Sequence, residues 1–502
     1  VNQRFKNRLL WEIASARPHS IQCTGNVVMK DSNFLKEHNG KLMWHPMTSP
    51  QDTIDNPPKI ITGSSGVRIE DIDGHSVVDA VGGLWNVNLG YSCQPIKDAI
   101  AAQLDRLPYY STFRGTSNDA AIELSYELGQ FFAPDGLSRA FFTSGGSDSV
   151  ETALRLARQY HKLRGDTGRV KFLSLKKGYH GTHMGGASVN GNANFRTAYE
   201  PLLPGCFHIP APYSYRNPFN ETDPEKLAQL CAAALEDEIA FQGAGTIAAM
   251  IMEPILGAGG VIVPHKSFAP MVREICDRNG ILLITDEVIT AYGRTGAWSG
   301  ARLWGIKPDM MATAKAITNG YFPFGAVMLG DKMVEVFENN PAAKIGHGYT
   351  YSGHPVGAAA ALVCLEETKR LNVIENAAAR GDQMFAGCQA LMAKHEIIGD
   401  VRGGQGLMTA IEMVSDRAAK KPIDAATAGR VQEVAYQAGA MIRVSGPNII
   451  LSPSLVLTEA DVDTILSALD KGLSAAQPAR AACDFPGKSR GIYGMLETDL
   501  PT

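Results

Sequence analysis

Apolar residues recur at Val150, Ala153, Leu154 and Ala157, the i, i+3, i+4, i+7 spacing of one helix face. The stretch 147–163 therefore predicts an amphipathic helix, with Ser147 capping its start. Short continuous apolar runs fall at 140–143, 170–174, 246–252, 280–285, 310–313 and 325–329. Runs of that length fit strands buried on both faces. They alternate with helical stretches from residue 76 to 345, which predicts an α/β domain built on a large, doubly wound, mostly parallel sheet.

The flanks read differently. Residues 1–75 are short polar pieces and one hairpin, with strands at 67–72 and 77–81 around Asp73-Gly74; they are assigned to a smaller domain as its N-terminal segment. Beyond 346 come helices at 354–370 and 374–395, then strands near 406–412, 441–444 and 449–452, so 346–475 is expected to complete that smaller α+β domain. Residues 476–502, rich in Ala and Pro early on, read as a loosely attached tail.

Composition narrows the function. The 502 residues are 45% hydrophobic and 20% charged, an ordinary globular balance with room for a large core. Lys and Arg number 47 against 51 Asp and Glu, a net charge of −4, which argues against nucleic acid or an anionic membrane as partner. A small-molecule enzyme fits better. The eight cysteines, at 23, 93, 206, 231, 276, 364, 388 and 483, form no Cys-x-x-Cys pair and suit reduced thiols in a cytoplasmic protein. The first twenty residues lack the apolar core of a secretory signal, and no apolar run, 358–365 included, approaches the ~18 residues of a membrane span.

Two suggestive stretches fail on context. Residues 482–489 fit a permissive phosphate-loop pattern, and 281–287 resembles the apolar strand ending in Asp-Glu that holds magnesium in ATPases. A phosphate loop needs a strand before it and a helix after it, whereas 482–489 falls in the tail, downstream of its supposed partner. His180 and His183 have the spacing of a metal pair but no third ligand accompanies them, so hydrogen-bonded or surface histidines are expected.

The run from Phe141 to Asp148 sets a strand, a glycine-rich turn and a helix in succession, a geometry that aims free backbone N–H groups at a phosphate. Glycine turns before helices are common, so alone this decides nothing. Asp286 ends one expected strand and Lys315 follows another; at the carboxyl ends of an open parallel sheet both face one crevice. A lone Asp there is ordinarily a cap, and a lone Lys is ordinarily solvated. Together with an anion site they fit a cofactor bearing a phosphate, a basic ring nitrogen and an aldehyde: pyridoxal 5'-phosphate. Lys315 would hold the aldehyde as a Schiff base, and Asp286 would keep the pyridine nitrogen protonated.

Six ordered motifs then carry a resemblance. Gly178-Tyr179-His180-Gly181, Glu253-Pro254-Ile255-x-Gly257-Ala258-Gly259-Gly260, Ile284-Thr285-Asp286-Glu287-Val288-x-Thr290, Gly293-Arg294-Thr295-Gly296, Ala314-Lys315-x-Ile317-Thr318-Asn319-Gly320-Tyr321 and Thr350-Tyr351-Ser352-Gly353-His354-Pro355 resemble the class III, or ω-amino acid, aminotransferases of the fold type I pyridoxal phosphate enzymes. The match runs in family order from about residue 40 to 470.

That resemblance implies that Lys315 carries the cofactor and shuttles the proton while Asp286 pairs with the ring nitrogen. Tyr179 and Val288 would flank the ring, Gly146 and Ser147 would bind the phosphate, and Glu253 would lie near the ring. Thr350 would reach the phosphate of a neighbouring subunit, implying a homodimer, or a tetramer built from it, with sites at the subunit interface. Ornithine, acetylornithine and GABA aminotransferases carry Glu where this chain has Ala258 and Arg where it has Ile450. Arg443 instead matches the mobile arginine of the ω-transaminases that accept pyruvate, and Trp85 matches their pocket tryptophan. Tyr109, Tyr110, Phe113, Tyr179 and Tyr349 would add to an aromatic substrate pocket.

The expected activity is a ping-pong transfer of an amino group from an amine or ω-amino acid donor to a 2-oxo acid, with pyruvate the expected acceptor. Class III relatives that are decarboxylases, racemases or an aminomutase supply the alternative. A cofactor-free binding protein on the same fold is the remote one.

Overall fold

The computed structural model describes residues 30–476. The expected tail beyond Ala476, with the phosphate-loop-like stretch 482–489 and Cys483, lies outside the described residues, as does Cys23. Contacts divide the chain into two units. The first takes residues up to Thr62 with Asp71–His75; its described part holds helices Ser32–Leu42 and Pro50–Asp55, capped by the side chains of Asp31 and Ser49. The second takes Gly63–Glu70 and Ser76 onward.

The second unit centres on a seven-stranded sheet made of β1 (Leu137–Thr143), β2 (Lys171–Leu175), β3 (Cys206–Ile209), β4 (Ile247–Met252), β5 (Leu282–Asp286), β6 (Met310–Thr313) and β7 (Gly325–Gly330). Across the sheet the order is β1-β7-β6-β5-β4-β2-β3. Pairings from β6 through β5, β4 and β2 to β3 are parallel, and β7 runs antiparallel to both β6 and β1. Every residue of β4, β5 and β6 is buried, which is why these runs are mostly apolar rather than alternating. Ile251, Leu282, Ile284 and Met310 pack with helix α1 (Gly146–Leu163), while Met250, Leu283 and Met311 join a separate core cluster, as successive strand residues on opposite faces must.

All strands expected between 140 and 329 are present. β3 was not expected: it is a short edge strand, only half-buried, and His208 interrupts its apolar character. The periodic helix is α1, with Val150, Ala153, Leu154 and Ala157 buried, but its start differs. Gly145 in extended backbone, at φ 172, is the N-cap and no side chain caps the helix, so Ser147 lies inside the first turn.

A second, antiparallel sheet runs in the order Ile398–Arg402, Thr409–Asp416, Asn448–Leu451, Arg443–Ser445. Its Ile398, Ile411, Met413, Ile449 and Leu451 pack against Met384 and Cys388 of helix Val373–Lys394 and Leu469 of helix Glu459–Ala476. The strand expected from 406 begins at Thr409 because Gly404 and Gly406 take left-handed turns at φ 78 and φ 62. The strand expected at 441–444 is two pieces that serve different sheets. Ala440–Met441 pairs parallel with Ser76–Asp79 of the N-terminal hairpin, and Arg443–Ser445 pairs antiparallel with Asn448–Leu451. No described helix is long and apolar enough to cross a membrane.

Close helix packing can be tested at two helical glycines. A Cβ on Gly381 would come within 2.2 Å of the Gly406 carbonyl oxygen, whereas one on Gly429 meets nothing within 4 Å. Gly381→Ala should destabilise by about 1–3 kcal/mol through overpacking, and Gly429→Ala should stabilise by up to about 1 kcal/mol through helix propensity. Thermal melts beside the parent protein check both; a Gly381→Ala variant melting at or above the parent would exclude the close approach.

Candidate active site

Three strand ends and the turn after β1 converge on a cavity of about 360 Å³. Asp286 closes β5, Lys315 follows β6 by two residues, Glu253 follows β4 by one, and Ser144–Ser147 leave β1 for α1. Ligand sites collect at this edge because strand ends there release the chain into loops whose side chains share one crevice.

The phosphate end is a turn with free donors. The first N–H groups of the 18-residue α1 have no side-chain cap and face the cavity with a partial positive charge. The Ser149 hydroxyl donates to the Thr313 carbonyl at 3.0 Å and accepts from the Thr143 hydroxyl at 2.8 Å, tying the turn to the end of β6. Gly146 cannot carry a side chain: a Cβ would lie 2.9 Å from a Val288 methyl. The Ser147 hydroxyl accepts from the Thr182 N–H at 3.1 Å and lies 3.5 Å from the Thr182 hydroxyl.

The ring end is built around buried carboxylates. His180 is buried and its Nδ1–H donates to Asp286 Oδ2 at 2.8 Å, since a carboxylate oxygen is an acceptor. Asp286 Oδ1 also accepts from the Val288 N–H at 3.1 Å. Glu253 accepts from the Tyr179 N–H and the Gly257 N–H, each at 2.9 Å, so it fixes the backbone under Tyr179. Burial pushes the Glu253 carboxyl up to about 7, with nearby Asp286 adding to the rise. Burial pushes the Lys315 ammonium down to about 8, against the opposing pull of Asp286 and Glu253. Lys315 also sits in left-handed backbone at φ 47, a strained conformation for a non-glycine residue of the kind that gathers at functional sites.

The residues fit pyridoxal phosphate. The anion end offers uncapped N–H groups and a serine hydroxyl, Tyr179 and Val288 line the cavity between its ends, and Asp286 stands ready for a ring N–H. Lys315 is a buried amine with no hydrogen bond or ion pair to the described residues. Gly146, Ser147, Tyr179, Glu253, Asp286, Val288 and Lys315 are thus brought together.

The other expected residues are not in this cavity. Trp85 is buried in the core at φ 66 with its indole N–H unpaired, and its neighbours Leu84 and Asn86 line the cavity instead. Left-handed Gly82 and Gly83 rotate the chain so that the indole turns inward. Phe113 lines a separate cavity of about 820 Å³, and Tyr110 stands half-exposed. The Tyr349 hydroxyl donates to the Asp148 carbonyl at 3.1 Å, and the Thr350 carbonyl accepts from Tyr109 at 2.7 Å. Arg443 lies close enough for its charge to act on Tyr179 and Lys315, yet it does not line the cavity.

The two motif histidines part company: His180 binds Asp286, and half-exposed His183 contacts Asp148 at 2.6 Å. No group of three metal-ligating side chains occurs among the described residues. Sequence reasoning missed the His180–Asp286 contact, which joins residues 106 apart and leaves no trace in local spacing.

Two substitutions test the site. Lys315→Ala should abolish turnover while leaving the melting temperature near the parent's; borohydride reduction of the parent should fix pyridoxal phosphate on the peptide containing Lys315, and the variant should give no labelled peptide. Asp286→Asn should still be labelled at Lys315 but lose a few powers of ten in turnover, about 1.4 kcal/mol of barrier for each. Near-parental rates would reduce Asp286 to a strand-end cap.

Comparison with known proteins places the chain. A family model described as aminotransferase class-III matches residues 51–473. The taurine–pyruvate aminotransferase of Bilophila wadsworthia is 36% identical, over 87% of this chain and 96% of that protein. The putrescine–pyruvate aminotransferase of Pseudomonas aeruginosa is 34% identical, over 86% and 94%. Among solved structures, a PLP-bound amine transaminase from an uncultivated Pseudomonas species shares 45% identity and a TM-score of 0.85, covering 87% of this chain and 99% of that one. With the strand-end lysine and aspartate on the fold these relatives share, the chain belongs to the class III aminotransferases, pyridoxal phosphate-dependent enzymes of fold type I.

Proposed function

We propose that this aminotransferase takes nitrogen from an ω-amine or ω-amino acid and delivers it to pyruvate, working as a homodimer. The observation that carries the acceptor is Arg443. It is a half-buried guanidinium with no hydrogen bond or ion pair to the described residues, and burial lowers its pKa. Such a cation is incomplete without a carboxylate. Ala258 and Ile450 offer no competing Glu–Arg pair nearby, and relatives named for pyruvate support the same acceptor.

When bound, the cofactor supplies an electron sink that stabilises charge left at the substrate carbon. The chain does the rest. Lys315 Nζ, held near a pKa of about 8, is in part neutral near neutral pH and can take a proton from the donor carbon and return it. Asp286, oriented by His180, keeps a negative charge at the ring nitrogen's position. Arg443 clamps the acceptor carboxylate through two parallel N–H bonds and stands aside for a donor that has none there.

The dimer is supported by apolar exposure. Tyr110, Phe113, Ile122, Tyr126, Ile345 and Tyr351 are all exposed, and three of them, Phe113, Ile122 and Ile345, line the second cavity. A patch of that kind marks an association surface. Thr350 and the aromatic residues absent from their own chain's cavity would then serve the partner's site.

A donor panel with pyruvate, read as alanine formed, tests the activity, and 2-oxoglutarate in parallel tests the acceptor. Arg443→Ala should weaken pyruvate by about ten- to a hundredfold, the worth of a hydrogen bond to a charged group. Its half-reaction with a simple amine should change little. Equal losses in both, measured by stopped flow, would indicate a collapsed pocket, and no loss in either would remove Arg443 from the site. Light scattering should give twice the chain mass; a monomer with full activity would exclude the dimeric reading.

A further inference from the structure

Arg443 does not hold its own position. Read straight across the second sheet, Arg402 faces Ala410, Ala410 faces Ile450, and Ile450 faces Arg443. Residues directly opposite on neighbouring strands project to the same face, so the two arginines mark the ends of one row. The two residues between them, Ala410 and Ile450, are buried in the core that also holds Leu256, Val261 and Ile262. This face therefore packs on the segment that follows Glu253.

Arg402 is fully engaged there. Its Nε–H donates to the Gly260 carbonyl at 2.7 Å, and Nη1 reaches Asp400 at 2.7 Å, the Tyr213 hydroxyl at 2.9 Å and Glu412 at 3.0 Å. Nη2 donates to Asn448 Oδ1 at 2.5 Å. Gly260 has φ 112, and a Cβ there would meet Nη2 at 3.0 Å, so the close approach needs glycine. On one side, Gly260 bonds back to Gly257, and Gly257 donates to Glu253, which holds the Tyr179 backbone. On the other, Asn448 pairs with Ser445 in the hairpin that carries Arg443.

We propose that Arg402 is a positioning residue for acceptor binding, locking the Arg443 hairpin to the 257–260 loop so that Arg443 keeps its reach over the Lys315 site. It rests on the reading of Arg443 as the acceptor's carboxylate ligand. With two carboxylates of its own, Arg402 is not free to bind the acceptor. Its effect reaches the acceptor through the fork that joins Gly260 to Asn448, and a lysine has only one nitrogen to span them.

The holoenzyme tests this with Arg402→Lys and Asn448→Ala, each alone and combined with Arg443→Ala. Stopped-flow half-reactions give the apparent pyruvate affinity and the amine rate, and bound-cofactor absorbance is recorded beside them. Both single variants should weaken pyruvate by about tenfold, the order of one lost charged hydrogen bond, with the amine half-reaction and the absorbance unchanged. Added to Arg443→Ala, neither should weaken pyruvate further, because coupled residues are non-additive. Asn448→Ala leaves both carboxylate partners of Arg402 in place and carries the test if Arg402→Lys fails to fold. Unchanged pyruvate affinity in Asn448→Ala, equal losses in both half-reactions, or full additivity would overturn the proposal while Arg443→Ala still weakens pyruvate. If Arg443→Ala itself leaves pyruvate untouched, the reading of Arg443 is what fails.

Discussion

Charge taken out of water at the strand ends is the constraint around which the rest is arranged. Lys315 and Glu253 are both pushed toward their neutral forms, to about 8 and about 7, by the same burial. The sheet beneath them provides that environment through three adjacent, mostly apolar strands with no exposed residue. Asp286 sits in the same buried surroundings but has the His180 N–H and the Val288 N–H as donors, and these two bonds fix its orientation. The proposed proton shuttle needs an amine that can lose its proton beside a carboxylate held in a fixed orientation. The difference lies in donors: Lys315 has no bonded partner among the described residues, whereas Asp286 has two.

That division explains what could be read from the chain. Strand ends were legible because β4, β5 and β6 are mostly apolar and stop at or within two residues of Glu253, Asp286 and Lys315. The order of motifs was legible too, and the family follows from it. Contacts that set the site's electrostatics were not. His180 meets Asp286 from 106 residues away, and Glu253 meets Tyr179 from 74, and neither spacing has a periodicity.

Backbone rotation was also illegible. Trp85 reads as a pocket residue by its motif, yet consecutive left-handed glycines at 82 and 83 place Leu84 and Asn86 at the cavity and turn the indole into the core. The break at Ile442 is of the same kind. An apolar run that reads as one strand is shared between a parallel pair and an antiparallel hairpin, and the break is what delivers Arg443 to its row. The parallel partner, Ser76–Asp79, lies far away in sequence, so local propensity is silent about the switch.

Two buried arginines and a half-buried one show how the fold separates structure from function. Arg294 is fully buried and bonded to the carbonyls of Leu407 and Pro453 and to Asn88, neutral acceptors that hold it in place; burial still lowers it to about 9. Arg402 has Asp400 and Glu412, and these carboxylates keep its charge favoured despite burial. Arg443 has neither kind of partner among the described residues, and burial lowers it as well. Removing the partners of a buried cation is costly, so an unpartnered one persists only where the surrounding structure holds it there. Arg294 and Arg402 clamp elements beside the site, and the uncommitted guanidinium of Arg443 is the one proposed to receive a substrate carboxylate.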